Sequence, residues 1–127
     1  MPMEFDNNTP IYIQVMDMIK KQIVSKELQG GDKLPSVREL AITLKVNPNT
    51  IQRTYQELER EGISETQRGL GRYVTDDRQR TKLLKDEMCN ELIQNFIKEM
   101  RALGFTDDII IQMVLNNIEE AENGQYT

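Results

Sequence analysis

The chain has no histidine, no tryptophan and a single cysteine, Cys89, in 127 residues. Without histidine there is no Ser-His or Cys-His nucleophile pair and no Cys/His zinc cluster, because both need imidazole nitrogens. One cysteine excludes an internal disulfide. Cys89 falls in an apolar helical stretch, which predicts a buried small hydrophobe rather than a redox group. No apolar run approaches the length of a bilayer span. The opening MPMEFDNNTP is acidic and polar, unlike a secretory leader, so the expected location is the cytoplasm. Paired carboxylates are sparse as well. Asp76-Asp77 reads as linker and Asp107-Asp108 as helix-start charge, with no convergent catalytic set beside them. These absences predict a protein that is not an enzyme and needs no metal and no cofactor.

An excess of basic charge is also missing. Lys and Arg number 16 against 21 Asp and Glu, a net charge of −5. Residues 1–77 hold 10 basic and 12 acidic side chains, and residues 78–127 hold 6 and 9. A nucleic-acid role must therefore rest on local placement of charge, not on the bulk. A chain of this length buries a modest core, so a partner surface would add useful burial.

What is present is a series of punctuated helices. Thr9-Pro10 reads as N-cap and first residue of a helix that carries Ile11, Val15, Ile19 and Ile23 at helical spacing. Lys20, Lys21 and Lys26 fall toward its end, where they suit the dipole. Leu28-Gln29-Gly30-Gly31-Asp32 breaks the pattern. Ser36 and Glu39 then have the spacing of a capping box, starting a short helix with Val37, Leu40, Ala41 and Leu44 inward. Only Lys45-Val46-Asn47 separate it from the next helix, which predicts a helix-turn-helix.

That next helix spans about Pro48 to Glu61, with Asn47 as N-cap and Gly62 as its stop. Its core stripe is Ile51, Tyr55 and Leu58. At about 100° per residue, Asn49, Arg53, Gln56 and Arg60 cluster within roughly 60° on the opposite face. Thr50 and Gln52 flank them. Amides and guanidinium groups of this kind pair with adenine and guanine edges. A plainly solvated face carries the same residues. Glu57, Glu59 and Glu61 would repel phosphate, so a groove would take the N-terminal half of the helix first. Backbone N–H groups favour phosphate at that end too.

The period then changes. Ile63–Gln67 and Arg72–Thr75 read as two strands of a hairpin joined by Arg68-Gly69-Leu70-Gly71. Arg68 and Arg72 beside a bare glycine tip suit a phosphate or a minor groove, as a wing would; an ordinary exposed turn is the alternative. From Asp77 to Leu103 there is no Gly or Pro, and Leu84, Met88, Leu92, Ile93, Phe96, Ile97, Met100 and Leu103 give a broad apolar face. Gly104 ends that helix. Thr106 caps another, with Phe105 and Ile110 placed as a hydrophobic staple. It carries Ile110, Met113 and Val114 among further apolar residues. Two such helices hold more apolar surface than they can cover alone, which predicts a homodimer through Leu92, Ile93, Phe96, Ile97, Met100, Ile110, Met113 and Val114.

The fold expected is mostly α with a small β-hairpin wing: a winged helix-turn-helix over residues 1–77, then a two-helix dimerisation segment over residues 78–127. Three blocks in order, "TPIYIQVMDMIKKQI", "GDKLPSVRELAITLKVNPNTIQRTYQELEREG" and "GLGRYV", resemble the winged-helix domain of the GntR family of bacterial transcriptional regulators. The resemblance covers Thr9 to about Thr75. "VNPNT" and a tail of about 50 residues resemble the YtrA-type subfamily. The resemblance implies a homodimeric repressor on double-stranded DNA with a palindromic operator, often controlling its own ABC-transporter operon. It also implies that Arg38 contacts phosphate or base, that Ser36 starts that helix, and that Asn47, Asn49, Thr50 and Gln52 lie at readout positions. Gly69 matches the wing-tip glycine, with Arg68 beside it. Two positions depart from the family: Pro48 replaces a common basic contact, and Lys45 stands where Gly is usual in the turn. The competing expectation is a winged-helix protein adaptor that binds no DNA, motivated by the acidic balance and the apolar tail.

Overall fold

A computed structural model describes residues 4–122; residues 1–3 and 123–127, including the first three of the opening segment read above, lie outside the described part. In order come α1 (Ile11–Val24), α2 (Val37–Leu44), α3 (Pro48–Arg60), β1 (Ser64–Gln67), β2 (Gly71–Val74), α4 (Arg78–Ala102) and α5 (Asp107–Glu122). The fold is mostly α with a two-stranded antiparallel hairpin, as the sequence predicts. The chain divides into two compact units, Met1–Asp86 and Glu87–Thr127.

The core of the first unit comes from one stripe per helix. α1 contributes Val15, Met16, Ile19 and Ile23; α2 contributes Leu40, Ala41 and Leu44; α3 contributes Ile51, Tyr55 and Leu58. Each fully buried aliphatic side chain is worth about 1.5–3 kcal/mol of transfer free energy. Ala41 is the small buried residue of α2, which packs on α3, and Val37 is only half-buried. Thr54 joins the core at zero exposure because its hydroxyl donates to Thr50 O at 2.8 Å.

The start of α1 differs from the sequence reading. Pro10, not Thr9, is the N-cap, and Pro10 O accepts from Ile13 N at 3.1 Å. Thr9 is engaged one step earlier: its N–H donates to Asp6 Oδ1 at 3.1 Å, and its carbonyl accepts from Gln14 Nε2 at 2.7 Å. The polar turn built by Asp6 therefore closes the helix start from outside.

The hairpin pairs Ser64 with Val74 and Gln67 with Gly71, so β2 begins one residue earlier than its hydrophobic pattern suggests. It is fastened to the unit at both ends. Ile63 and Val74 are buried. The segment before α2 also runs beside β2, with an isolated bridge between Lys33 and Tyr73 and a 2.8 Å bond from Leu34 N to Arg72 O. After the hairpin, Asp77 caps α4 rather than serving as plain linker: its Oδ1 accepts from Gln79 N at 3.0 Å and Arg80 N at 3.1 Å. Arg80 Nε donates to Glu61 O at 2.8 Å, closing the C-terminal end of α3, and Leu84 is buried. The first turns of α4 are thereby part of the first unit.

In the second unit, Gly104 at φ 94° turns the chain between α4 and α5, and the Arg101 guanidinium forks onto Asp107 with two bonds of 2.9 Å. Ile110 is buried, but Leu92, Ile93, Phe96, Ile109, Ile111, Leu115 and Ile118 are exposed. Cys89 is exposed as well, contrary to the buried position its neighbours suggest. Little of this stretch of α4 is covered within the chain, so an apolar neighbourhood in sequence does not become a packed one.

Candidate nucleic-acid interface

The helix-turn-helix is built by two caps. Ser36 Oγ accepts from Glu39 N at 3.1 Å while Glu39 Oε1 accepts from Ser36 N at 3.2 Å, which is the full capping box at the start of α2. Hydrogen bonding of the Glu39 carboxyl to Ser36, side chain first and backbone second, holds it below its ordinary pKa. At α3, Asn47 Oδ1 accepts from Asn49 N at 2.8 Å, with Pro48 as the first helical residue. The cap uses only the carbonyl of the Asn47 side chain; its amide N–H groups have no hydrogen-bond partner among the described residues and remain donors.

The rest of α3 follows its pattern. Asn49, Arg53 and Gln56 are exposed, and Thr50 and Gln52 are half-buried flankers. No acid lies in the first turn of α3. The acidic end is partly neutralised: Arg60 Nε donates to Glu57 at 2.7 Å, and Lys20 Nζ bridges to Glu61 at 3.0 Å. The field along the helix therefore favours approach of an anion from the Asn47 end.

Arg53 has a partner no spacing argument shows. Its guanidinium lies 3.9 Å from the centre of the Tyr12 ring, and Nη2 donates to Tyr12 Oη at 3.3 Å. Thr54 Oγ1 also reaches Tyr12 O at 3.4 Å. The N-terminal turn of α1 thus forms a shelf along one side of α3, and Arg53 rests on it with its outer edge in solvent.

Arg38 is exposed in the first turn of α2, and Arg68 and Gly69 are exposed at the wing. Gly69 has φ 79°, and a Cβ there would meet nothing within 4 Å, so the tip is open on that side. Arg72 is placed differently from its neighbour Arg68. It turns inward, its guanidinium 5.1 Å from the Tyr55 ring centre, and its Nε is buried without a hydrogen-bond partner. Tyr55 in turn donates to Pro35 O at 2.6 Å, and burial pushes its phenol pKa up while Arg72 pulls the other way. Ser36, Glu39, Tyr55, Gly69 and Arg72 all border one cleft of about 450 Å³ between the start of α2 and the wing. The structure thus brings Ser36, Gly69 and Arg72 to one cleft and Asn47, Asn49, Arg53 and Gln56 to one helix. Tyr12 is the addition that sequence reasoning missed; its signal is a half-buried aromatic in the first turn of α1.

Among the described residues, no group of three His, Cys, Asp or Glu side chains is placed to hold a metal. No helix of the described residues is long and apolar enough to cross a membrane.

Comparison with known proteins agrees with this geometry. Residues 11–74 match the family described as bacterial regulatory proteins, gntR family. The HTH-type transcriptional regulator YhcF of Bacillus subtilis (strain 168) is 49% identical over 109 residues, 86% of this chain and 90% of that protein. The HTH-type transcriptional repressor YtrA of the same organism is 43% identical over 94 residues, 74% of this chain and 70% of that protein. A solved structure of a GntR family transcriptional regulator from Listeria monocytogenes aligns with a TM-score of 0.82 at 46% identity, covering 88% of this chain and 98% of the other. These relatives are regulators, not enzymes. The match runs from the helix that carries Tyr12 to the last residue of the wing, and the chain belongs to the GntR family of bacterial transcriptional regulators.

Proposed function

We propose that the protein is a homodimeric, sequence-specific repressor that binds a palindromic operator in its own upstream region, acting in the cytoplasm where that DNA lies. α3 enters the major groove by its N-terminal half, with Asn49, Thr50, Gln52, Arg53 and Gln56 toward base edges. Arg38, Ser36 and Asn47 hold the phosphates at its margin, and Gly69 with Arg68 approaches the minor groove. Arg72 supports the wing against Tyr55 and reaches the DNA only with its outer edge. An ABC-transporter operon is the regulated unit that the YtrA-type resemblance favours.

The observation that carries this reading is the polar, acid-free N-terminal half of α3, capped by Asn47 and flanked by the Arg53–Tyr12 shelf. Dimerisation is supported by the second unit. Ile93, Phe96, Ile97, Ile111, Val114 and Leu115 line an apolar groove of about 470 Å³ between α4 and α5. A surface of that kind is costly to leave in water, and a two-fold dimer covers it with itself. Leu92, Ile93, Phe96, Ile97, Met100, Met113 and Val114 supply the interface. Ile110 supplies it from beneath, since it is already buried within the chain.

Fluorescence anisotropy tests the reading, with duplex DNA from the protein's own upstream region against a scrambled duplex over a salt series. Tighter binding of the upstream duplex, saturating at two chains per site and falling steeply with salt, is the expected result. Absent or equal binding of both duplexes, and a blank in a genome-wide selection of bound fragments, would favour the protein adaptor.

A further inference from the structure

Among the described residues, two that are not glycine occupy the left-handed backbone region, and both are lysines: Lys26 at φ 67° and Lys45 at φ 58°. A Cβ in that region crowds the following carbonyl, and glycine avoids the crowding. Lys45 is the C-cap of α2, with ψ 48°, and its backbone N–H donates to Ala41 O and Ile42 O. The backbone does all the work of stopping the helix. The side chain is exposed, and no hydrogen bond or ion pair of its ammonium is found among the described residues. Nothing in the fold uses it.

Its position gives it another use. Lys45 precedes the N-cap Asn47 by two residues, so its Cα lies within about 7.6 Å of the tip of α3. The acid nearest along α2, Glu39, is bound up in the capping box. The charge at the turn is therefore uncompensated and sits beside the helix end that meets DNA.

We propose that Lys45 is a phosphate contact, its ammonium pairing with a backbone phosphate at the edge of the major groove that α3 enters. The proposal rests on the operator-binding reading above. The contact sets register and carries no sequence information. The strained backbone at Lys45 is kept because the position needs a cation as well as a left-handed stop. Lys26 is the matched control. It has the same backbone conformation, but it follows α1 at the end that the Lys20–Glu61 bridge ties to the C-terminal end of α3, away from Asn47.

The test measures anisotropy over a salt series for Lys45→Gly, Lys45→Met, Lys45→Arg and Lys26→Gly in the full chain, with the upstream and scrambled duplexes, and the unfolding midpoint of each. Lys45→Gly is expected to unfold at the same temperature or higher, yet bind both duplexes more weakly. Its log-affinity against log-salt slope should fall by about 0.9 per chain, or about 1.8 for two chains per site. The ratio of upstream to scrambled affinity should stay constant. Lys45→Met should repeat the slope loss with the strain retained, Lys45→Arg should restore it, and Lys26→Gly should bind like the parent. A Lys45→Gly protein with the parent's slope and affinity would reduce Lys45 to a helix stop and overturn the proposal alone. A collapse of the upstream-to-scrambled ratio would make it a base contact and overturn it too. A parent protein with no salt-dependent binding to either duplex overturns the operator reading itself, and this contact with it.

Discussion

Arg53 shows how much one side chain depends on its neighbour. A free arginine on a helix surface must be ordered before it reads a base, and that ordering costs rotamer entropy. Resting on the Tyr12 ring at 3.9 Å, Arg53 has part of that cost already met. Arg53→Ala is expected to weaken operator binding by about 1–3 kcal/mol, the range of a good bidentate base contact. Tyr12→Leu should lose part of the same affinity, while Tyr12→Phe, which keeps the ring, should lose least. Anisotropy on the upstream duplex, with the unfolding midpoint beside it, checks the series. A Tyr12→Leu protein that binds like the parent would leave Tyr12 as scaffold only. The polar face of α3 was legible because helical spacing sorts residues within one helix. Tyr12 was not, because it meets Arg53 across a separation of 41 residues, which no local pattern encodes. Thr54 was hidden for another reason. Its hydroxyl makes it look polar, and its bond to Thr50 O, with Tyr12 O also in reach, lets it sit in the core. Arg72 reads as an exposed twin of Arg68, since sequence does not say which of two hairpin arginines faces an aromatic ring.

Two element ends carry carboxylates whose protonation is linked to folding. Glu39 is held below its ordinary value of 4.5 by the Ser36 side chain and backbone, and Asp107 below 3.8 by the Arg101 guanidinium. A depressed native pKa means that the unfolded chain binds protons first as pH falls. The stabilisation is fully present above the ordinary values and is lost as pH drops through the native ones. Side-chain carboxyl NMR should find both groups titrating below 4.5 and 3.8, and Ser36→Ala should return Glu39 toward 4.5. Midpoints at the ordinary values in the parent would remove the capping box and the Arg101–Asp107 fork as working bonds. The capping box was legible from Ser36 and Glu39 alone, as were α2, α3 and the hairpin, because caps and glycines punctuate them within a few residues. The start of α1 was not, since Asp6 builds a competing turn that takes up Thr9. The strand segment beside β2 was not either: Lys33 meets Tyr73 only once the fold has brought them together.

At the scale of the molecule, the proposed reading of a palindromic operator sets two copies of α3 about one helical turn of DNA apart, roughly 34 Å. A single net-acidic chain has little general attraction for DNA, and the proposed dimer offsets this by pairing two weak half-site contacts. In the proposed dimer, the exposed apolar residues of the second unit are the means to that pairing. Leu92 is 67% exposed and Ile111 is 60% exposed, so a charge at either disturbs the single chain little. Leu92→Glu with Ile111→Glu is expected to yield a folded monomer by sedimentation, with an unchanged helical spectrum. Operator affinity should fall about 10²–10⁴-fold, the range lost when linked binding events are separated. Ile110→Ala is the contrast. That side chain is buried within its own chain, so it should lower the unfolding midpoint, by an amount equivalent to about 2–5 kcal/mol. A double variant that stays dimeric would place the interface elsewhere. A monomer that still binds the operator as tightly as the parent would mean that one α3 suffices, and the two-fold operator would have to be abandoned.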